Sequence, residues 1–181
     1  MQDKESDMKP VTKGALGGVI GTLVLLLAVA LIVVLSGAYN VAATDRHSPA
    51  VGWALDTAMR SGVEARASEV GPAPQFTPAM IEAGAGEYKE YCAHCHGGVG
   101  ASKAEWAAGM RPHPPALARV ADQWSSAEVF WMVKHGIKMS GMPAFGPTHD
   151  DETLWNITAF VKAMPEMTAE RYAGFEGGHV H

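Results

Sequence analysis

The sequence is short of charge and almost without cysteine. Asp, Glu, Lys and Arg make up 18% of its 181 residues, below the usual quarter or so. Fourteen basic side chains face nineteen acidic ones, for a net charge of −5. No basic field exists to neutralise phosphates, which excludes a nucleic-acid partner. Two cysteines, three positions apart, exclude a disulfide framework and a four-cysteine zinc site. No segment alternates polar and apolar residues with period two, so a sheet protein is excluded and the expected class is all-α.

The apolar residues are concentrated near the N-terminus. Residues 14–44 carry no charge, and Val19 to Leu35 is aliphatic except for Gly21 and Thr22. A helix over Ala15–Leu35 would be roughly 31 Å long, about the thickness of a bilayer's hydrocarbon core. Ser36-Gly37-Ala38 would suit a signal-peptide cleavage site. Signal h-regions, however, run about 7–15 residues, and this core alone has 17. The segment therefore predicts an uncleaved anchor. Lys4, Lys9 and Lys13 precede it and Arg46 is the only nearby cation after it, so the positive-inside rule leaves the N-terminus cytoplasmic and the rest exported.

Helix signals follow. Ser48-Pro49 opens one helix, in which Val51, Leu55, Ala58 and Gly62 recur on one side. It is expected to lie on the membrane surface or on a partner, ahead of a stiff Gly71-Pro72-Ala73-Pro74 linker. Thr77-Pro78 opens a second helix running to Tyr91. Ser125-x-x-Glu128 is a capping-box pattern with Gly136 as the stop. A last helix begins near Asp150-Asp151-Glu152 and ends before Pro165, and the Glu- and Gly-rich remainder reads as a loose tail.

Cys92-Ala93-His94-Cys95-His96 is the decisive motif. C-x-x-C-H is the attachment pattern of c-type haem: two thiols one helical turn apart each bond a vinyl group, and His96 follows as an iron ligand. Export agrees with it, because that is where such attachment takes place. A Cys₂His₂ zinc site would need further histidines, and a redox C-x-x-C would need a βαβ unit. A thioether is the second ligand that raises a haem's potential. Met139 and Met142 lie 43 and 46 residues after His96, and either could reach the iron. No histidine lies between residues 14 and 43, so the anchor cannot ligate a b-type haem with histidine.

From about Thr77 to Pro165 the chain resembles the class I, mitochondrial-type cytochrome c family. Beyond the haem motif, the resemblance rests on Gly84 and Tyr88 eight and four residues before Cys92, on Pro114-Pro115-Ala116-Leu117, and on Met142-Pro143-Ala144-Phe145. It implies that the last helix crosses at Gly84, with Ile157 and Phe160 facing Tyr88. It also implies that a proline carbonyl accepts the Nδ1–H of His96, from Pro115 or in the neighbouring register from Pro114, while Leu117 packs on the haem. As the sixth ligand it selects Met142 over Met139. Trp106 is expected to pack, and His94, His113, His135 and His149 to be ordinary surface or loop residues.

The expected layout is a cytoplasmic N-terminus (1–13), an anchor (14–43), an amphipathic helix and linker (44–76), a haem domain (77–165) and a tail (166–181). The expected function is single-electron transfer by one covalent haem c. The protein would sit in the cytoplasmic membrane of a bacterium with its haem domain on the periplasmic side. Its partners would be the membrane and redox proteins such as a dehydrogenase, a quinol-oxidising complex or a terminal oxidase. The competing class is a haem enzyme or gas sensor with a labile sixth ligand. The amphipathic helix would favour a fixed place in a complex over a mobile tether.

Overall fold

A computed structural model describes residues 10–176, and the chain divides into two compact units between Asp45 and Arg46. In the first, α1 spans Pro10–Leu35, 26 residues with no side chain buried. At 1.5 Å per residue it is roughly 39 Å long, enough to cross a bilayer. Its one mid-span hydroxyl, on Thr22, donates to Gly18 O at 2.9 Å and so presents no unpaired donor to lipid. Lys4, Lys9, His179 and His181 lie outside the described residues.

The second unit is helical, and among the described residues its only strand-like pairing is one bridge between Gly98 and Ala101. Its helices are α2 (Pro49–Ala67), α3 (Pro78–Glu87), α4 (Ala93–His96), α5 (Leu117–Val120), α6 (Ser126–His135), α7 (Asp151–Ala163) and α8 (Ala169–Gly174). The cap signals are met by side-chain bonds. Ser48 accepts from Val51 N, Thr77 from Met80 N, and Asp150 from Thr153 N. Ser125 and Glu128 form a reciprocal capping box, and Gly136 ends α6 at φ +66°.

The core lies where α3 crosses α7. Leu154, Ile157, Phe160 and Tyr88 are fully buried there, and the Tyr88 and Phe160 rings are 5.2 Å apart. Phe130 of α6 stacks on Trp155 of α7 at 4.1 Å, which joins the third helix to the pair. Lys162 fastens α7 to the chain before α6, donating to Ala121 O at 2.8 Å and Trp124 O at 2.6 Å. The Tyr88 hydroxyl donates to Gly97 O at 2.7 Å inside the core. Burial pushes its pKa up, so it stays a neutral donor. Tyr88→Phe should cost about 1–3 kcal/mol of stability, because the buried Gly97 carbonyl loses its donor. Thermal unfolding of the two proteins measures it.

Three expectations are corrected. The segment after Pro165 is not a loose tail as far as Phe175. Met167 and Tyr172 are buried, and Phe175 packs edge-on to Phe160 at 5.5 Å. Tyr172 also covers Gly98, where an added Cβ would lie 2.2 Å from its ring. The face of α2 also differs. Its C-terminal half packs on α6 with Val63 and Ala67 buried, while Leu55 and Ala58 are exposed. Arg60 lies over the Trp124 ring at 5.0 Å. Only the C-terminal half of this helix thus serves its own domain, and Trp53 and Leu55 nearer its start remain exposed. Finally, Trp106 does not pack: on the 3₁₀ turn Glu105–Gly109 it is 61% exposed.

A candidate haem-binding site

The site begins where α3 loses its regular winding. Tyr88–Cys92 is a π-helical turn, with Ala93 N donating to Tyr88 O, and α4 then carries Cys95 and His96. Such a turn holds one extra residue and re-aims the side chains after it, which is why π-turns gather at functional sites. Gly97 ends α4 at φ +72° and turns the chain sharply away.

Cys92 and Cys95 are free and half-buried. Burial, then Cys95 and Glu87, pushes the Cys92 thiol up to about 12. A thiol held neutral in this way is a poor nucleophile or redox centre at neutral pH. Among the described residues no three His, Cys, Asp or Glu side chains gather as a metal site of their own would require.

The His96 ring has a fixed tautomer. Its Nδ1 is 2.8 Å from Pro115 O. A carbonyl only accepts, so Nδ1 carries the hydrogen and Nε2 keeps its lone pair. Burial lowers the His96 pKa, the Pro115 bond opposes that, and Lys103 adds to the lowering. The ring is therefore kept in the neutral form that a metal ligand needs. The neighbouring Pro114 carbonyl accepts from Lys103 Nζ, so each proline has its own donor. Leu117 opens α5, partly buried against the core.

Met142 and Met139 are placed very differently. Met142 is partly buried against the core, whereas Met139 is 84% exposed at φ +60°. The Met142 backbone is held on both sides. Its N–H donates to Ser140 Oγ at 3.1 Å, Ser140 Oγ donates to Ile137 O at 2.7 Å, and Ile137 N donates to Met142 O at 3.3 Å. Phe145 N and Gly146 N then donate to Val133 O and Lys134 O, satisfying carbonyls at the end of α6. Gly136 lets the loop close on the helix, since a Cβ there would lie 2.7 Å from the Pro143 carbonyl carbon.

Arg111 stands three residues before Pro114. Its Nη1 donates to Met110 O at 3.0 Å and Ala108 O at 3.3 Å, while its buried Nε has no partner. An orphaned buried N–H of a guanidinium calls for an acceptor, and a carboxylate is the best match. The donor set thus fits haem in kind: two thiols one turn apart, a neutral imidazole with a free Nε2, a half-buried thioether and a cation wanting a carboxylate such as a haem propionate. Of the remaining histidines, His94, His113 and His135 are exposed, and His149 is not. A groove lined by His96, Val99, Ala107, Ala118 and Met164 reaches the site only through His96 and does not include Cys92 or Met142.

A helical domain in which α3 crosses α7 closely at Gly84, and leads through the π-turn into Cys92-x-x-Cys95-His96, has the architecture of a class I c-type cytochrome. Residues 79–161 match the family model described as "Cytochrome C oxidase, cbb3-type, subunit III", and are a class I-like c-type cytochrome domain. No curated protein matches the chain. The class implies covalently bound haem c and electron transfer, and α1 fits a membrane anchor. The match leaves α1, α2 and α8 outside.

Proposed function

We propose that the protein is a membrane-anchored monohaem cytochrome that passes single electrons between redox proteins on the periplasmic side. Cys92 and Cys95 would hold the haem, His96 and Met142 would ligate its iron, Pro115 would orient His96, and Leu117 would pack on the haem. The observation that carries the reading is the His96–Pro115 bond directly after the two half-buried thiols.

Bound haem supplies one iron centre that cycles between ferric and ferrous states. The chain's residues decide what that centre does. The Pro115 carbonyl fixes the plane of the His96 ring and raises its donor strength. The Ile137–Ser140–Met142 bonds hold the thioether loop in one conformation, which limits rearrangement between oxidation states. With His96 and Met142 both serving as ligands, the iron would have no position left for a substrate, which would separate an electron carrier from a haem enzyme or gas sensor. Arg111 balances propionate charge through its free Nε. The anchor keeps the domain within a thin layer over the membrane, which raises its effective concentration toward membrane partners. A dehydrogenase, a quinol-oxidising complex or a terminal oxidase fits that place. The matched family model is named for an oxidase subunit, which supports a terminal oxidase as one of them. In α2 only Val63 and Ala67 are buried in its own domain, while Trp53 and Leu55 stay exposed for the membrane or a partner to cover.

Intact mass after acid-acetone denaturation tests the attachment and the anchor together. The expected result is the chain beginning at its own N-terminus plus the mass of one haem. A chain stripped of haem would overturn covalent attachment. A chain beginning near Ala38 or Tyr39 would show a cleaved signal and a soluble carrier.

A further inference from the structure

The loop bearing Met142 leaves α6 at Gly136 and returns to it through Phe145 and Gly146. Those bonds secure only the α6 side. On the other side stands His149, among the described residues the one histidine beyond the haem motif that is largely buried in its surroundings, with 14% of its side chain exposed.

Every edge of its ring is occupied. Nε2 is 3.4 Å from Glu87 Oε2, at the last residue of α3. Nδ1 is 2.8 Å from Thr148 Oγ1. The ring stands nearly perpendicular to two aromatics, Tyr91 at 5.3 Å and Phe145 at 5.4 Å. Tyr91 belongs to the π-turn and immediately precedes Cys92, while Phe145 is the third residue after Met142. His149 N also donates to Phe145 O at 2.9 Å. One side chain therefore touches both the segment carrying the first haem cysteine and the loop carrying the thioether. The charged and titratable groups facing it are Glu87 from α3, Tyr91 from the π-turn and Asp150 from the start of α7. A carboxylate oxygen accepts, so a hydrogen on Nε2 is what would face Glu87 across this 3.4 Å separation.

We propose that His149 is a positioning residue for the thioether loop: by fastening the loop's far end to α3 through Glu87, it sets how readily Met142 leaves the iron. This rests on the reading of Met142 as sixth ligand. Arg111, Pro115 and Ser140 hold other parts of the site and do not bridge these two segments.

Exogenous imidazole reports the open loop, because it binds only molecules in which Met142 has left. Its apparent dissociation constant is the intrinsic one divided by the open fraction. The ferric, haem-loaded full chain is titrated in detergent, and loss of the near-infrared Met–iron band is followed. His149→Leu should bind imidazole about tenfold more tightly than the parent, and Glu87→Gln about threefold more tightly. The double variant should be no tighter than His149→Leu alone, since Glu87 acts through His149. His149→Gln, which can place an amide N–H where Nε2 stands, should return most of the parent's affinity.

In a Met142→Leu background, where no thioether has to leave, His149→Leu should have no effect. Parent-like affinity in both His149→Leu and Glu87→Gln would overturn the proposal. So would an equal gain from His149→Leu with and without Met142, which would mark general loosening. Should His149→Leu not load haem, Glu87→Gln and His149→Gln carry the same decision. A near-infrared band that survives Met142→Leu would defeat the ligand assignment itself, a failure distinct from that of the clamp.

Discussion

Replacing Met142 with leucine is expected to abolish the near-infrared band of the ferric protein, lower the reduction potential by on the order of a hundred millivolts, and let the ferrous form bind carbon monoxide. Leucine keeps the bulk and removes only the sulfur. The packing of a half-buried side chain is largely preserved, and the loss is confined to ligation. Met139→Leu is the matched control. At 84% exposure it has no packing to lose, and all three properties should stay close to those of the parent. Spacing could not separate the two residues, because a loop of this length reaches the iron from either. The structure adds a physical distinction. The Met142 backbone is tied to Ser140 and Ile137, while Met139 occupies the left-handed region, where a non-glycine residue is disfavoured, and points its thioether into solvent. A large effect at Met139 and none at Met142 would reverse the ligand assignment.

Much of this architecture could be read from the chain because its signals are local. Ser48, Thr77, Ser125 and Asp150 each cap the helix their position predicts, since a cap needs only a short side chain three residues from a free N–H. The Cys-x-x-Cys-His motif lies within one turn for the same reason. What the sequence concealed is long-range. The burial of Tyr172 follows from Gly98, which has no Cβ to hold the ring away, and no periodicity records a contact across so many residues. In α2, which packs on α6, Val63 and Ala67 are the buried residues, and an amphipathic pattern cannot say whether its partner is lipid, another protein or its own domain. The π-turn and the unpaired Nε of Arg111 leave no compositional trace. His149 looked like an ordinary loop histidine because Glu87, which faces it, lies 62 residues earlier in the chain.

Gly84 offers the sharpest test of the fold, since two physical arguments predict opposite signs there. Helix propensity alone says that Gly84→Ala, inside α3, should stabilise by about 1 kcal/mol. The crossing says the reverse. A Cβ at residue 84 would lie 1.9 Å from Asn156 O and 2.4 Å from Asn156 C, both backbone atoms of α7. Backbone cannot rotate aside as a side-chain tip can, so the two helices would have to separate. That would open the contact among Tyr88, Ile157 and Phe160 on which the core depends. Overpacking a well-filled core costs about 1–3 kcal/mol, and a clash with backbone belongs at or above the top of that range. Gly84→Ala is therefore expected to destabilise the protein by about 3 kcal/mol or more, and Gly84→Val to prevent the domain from folding around haem. Gly52→Ala supplies the contrast, because nothing lies within 4 Å of a Cβ built there in α2. There propensity acts unopposed, and a gain of about 0.5–1 kcal/mol is expected. Thermal unfolding of the haem-loaded chain, followed by circular dichroism, should move in opposite directions for the two alanine variants. A stabilised Gly84→Ala protein would show that α3 and α7 do not approach each other as closely as the crossing requires.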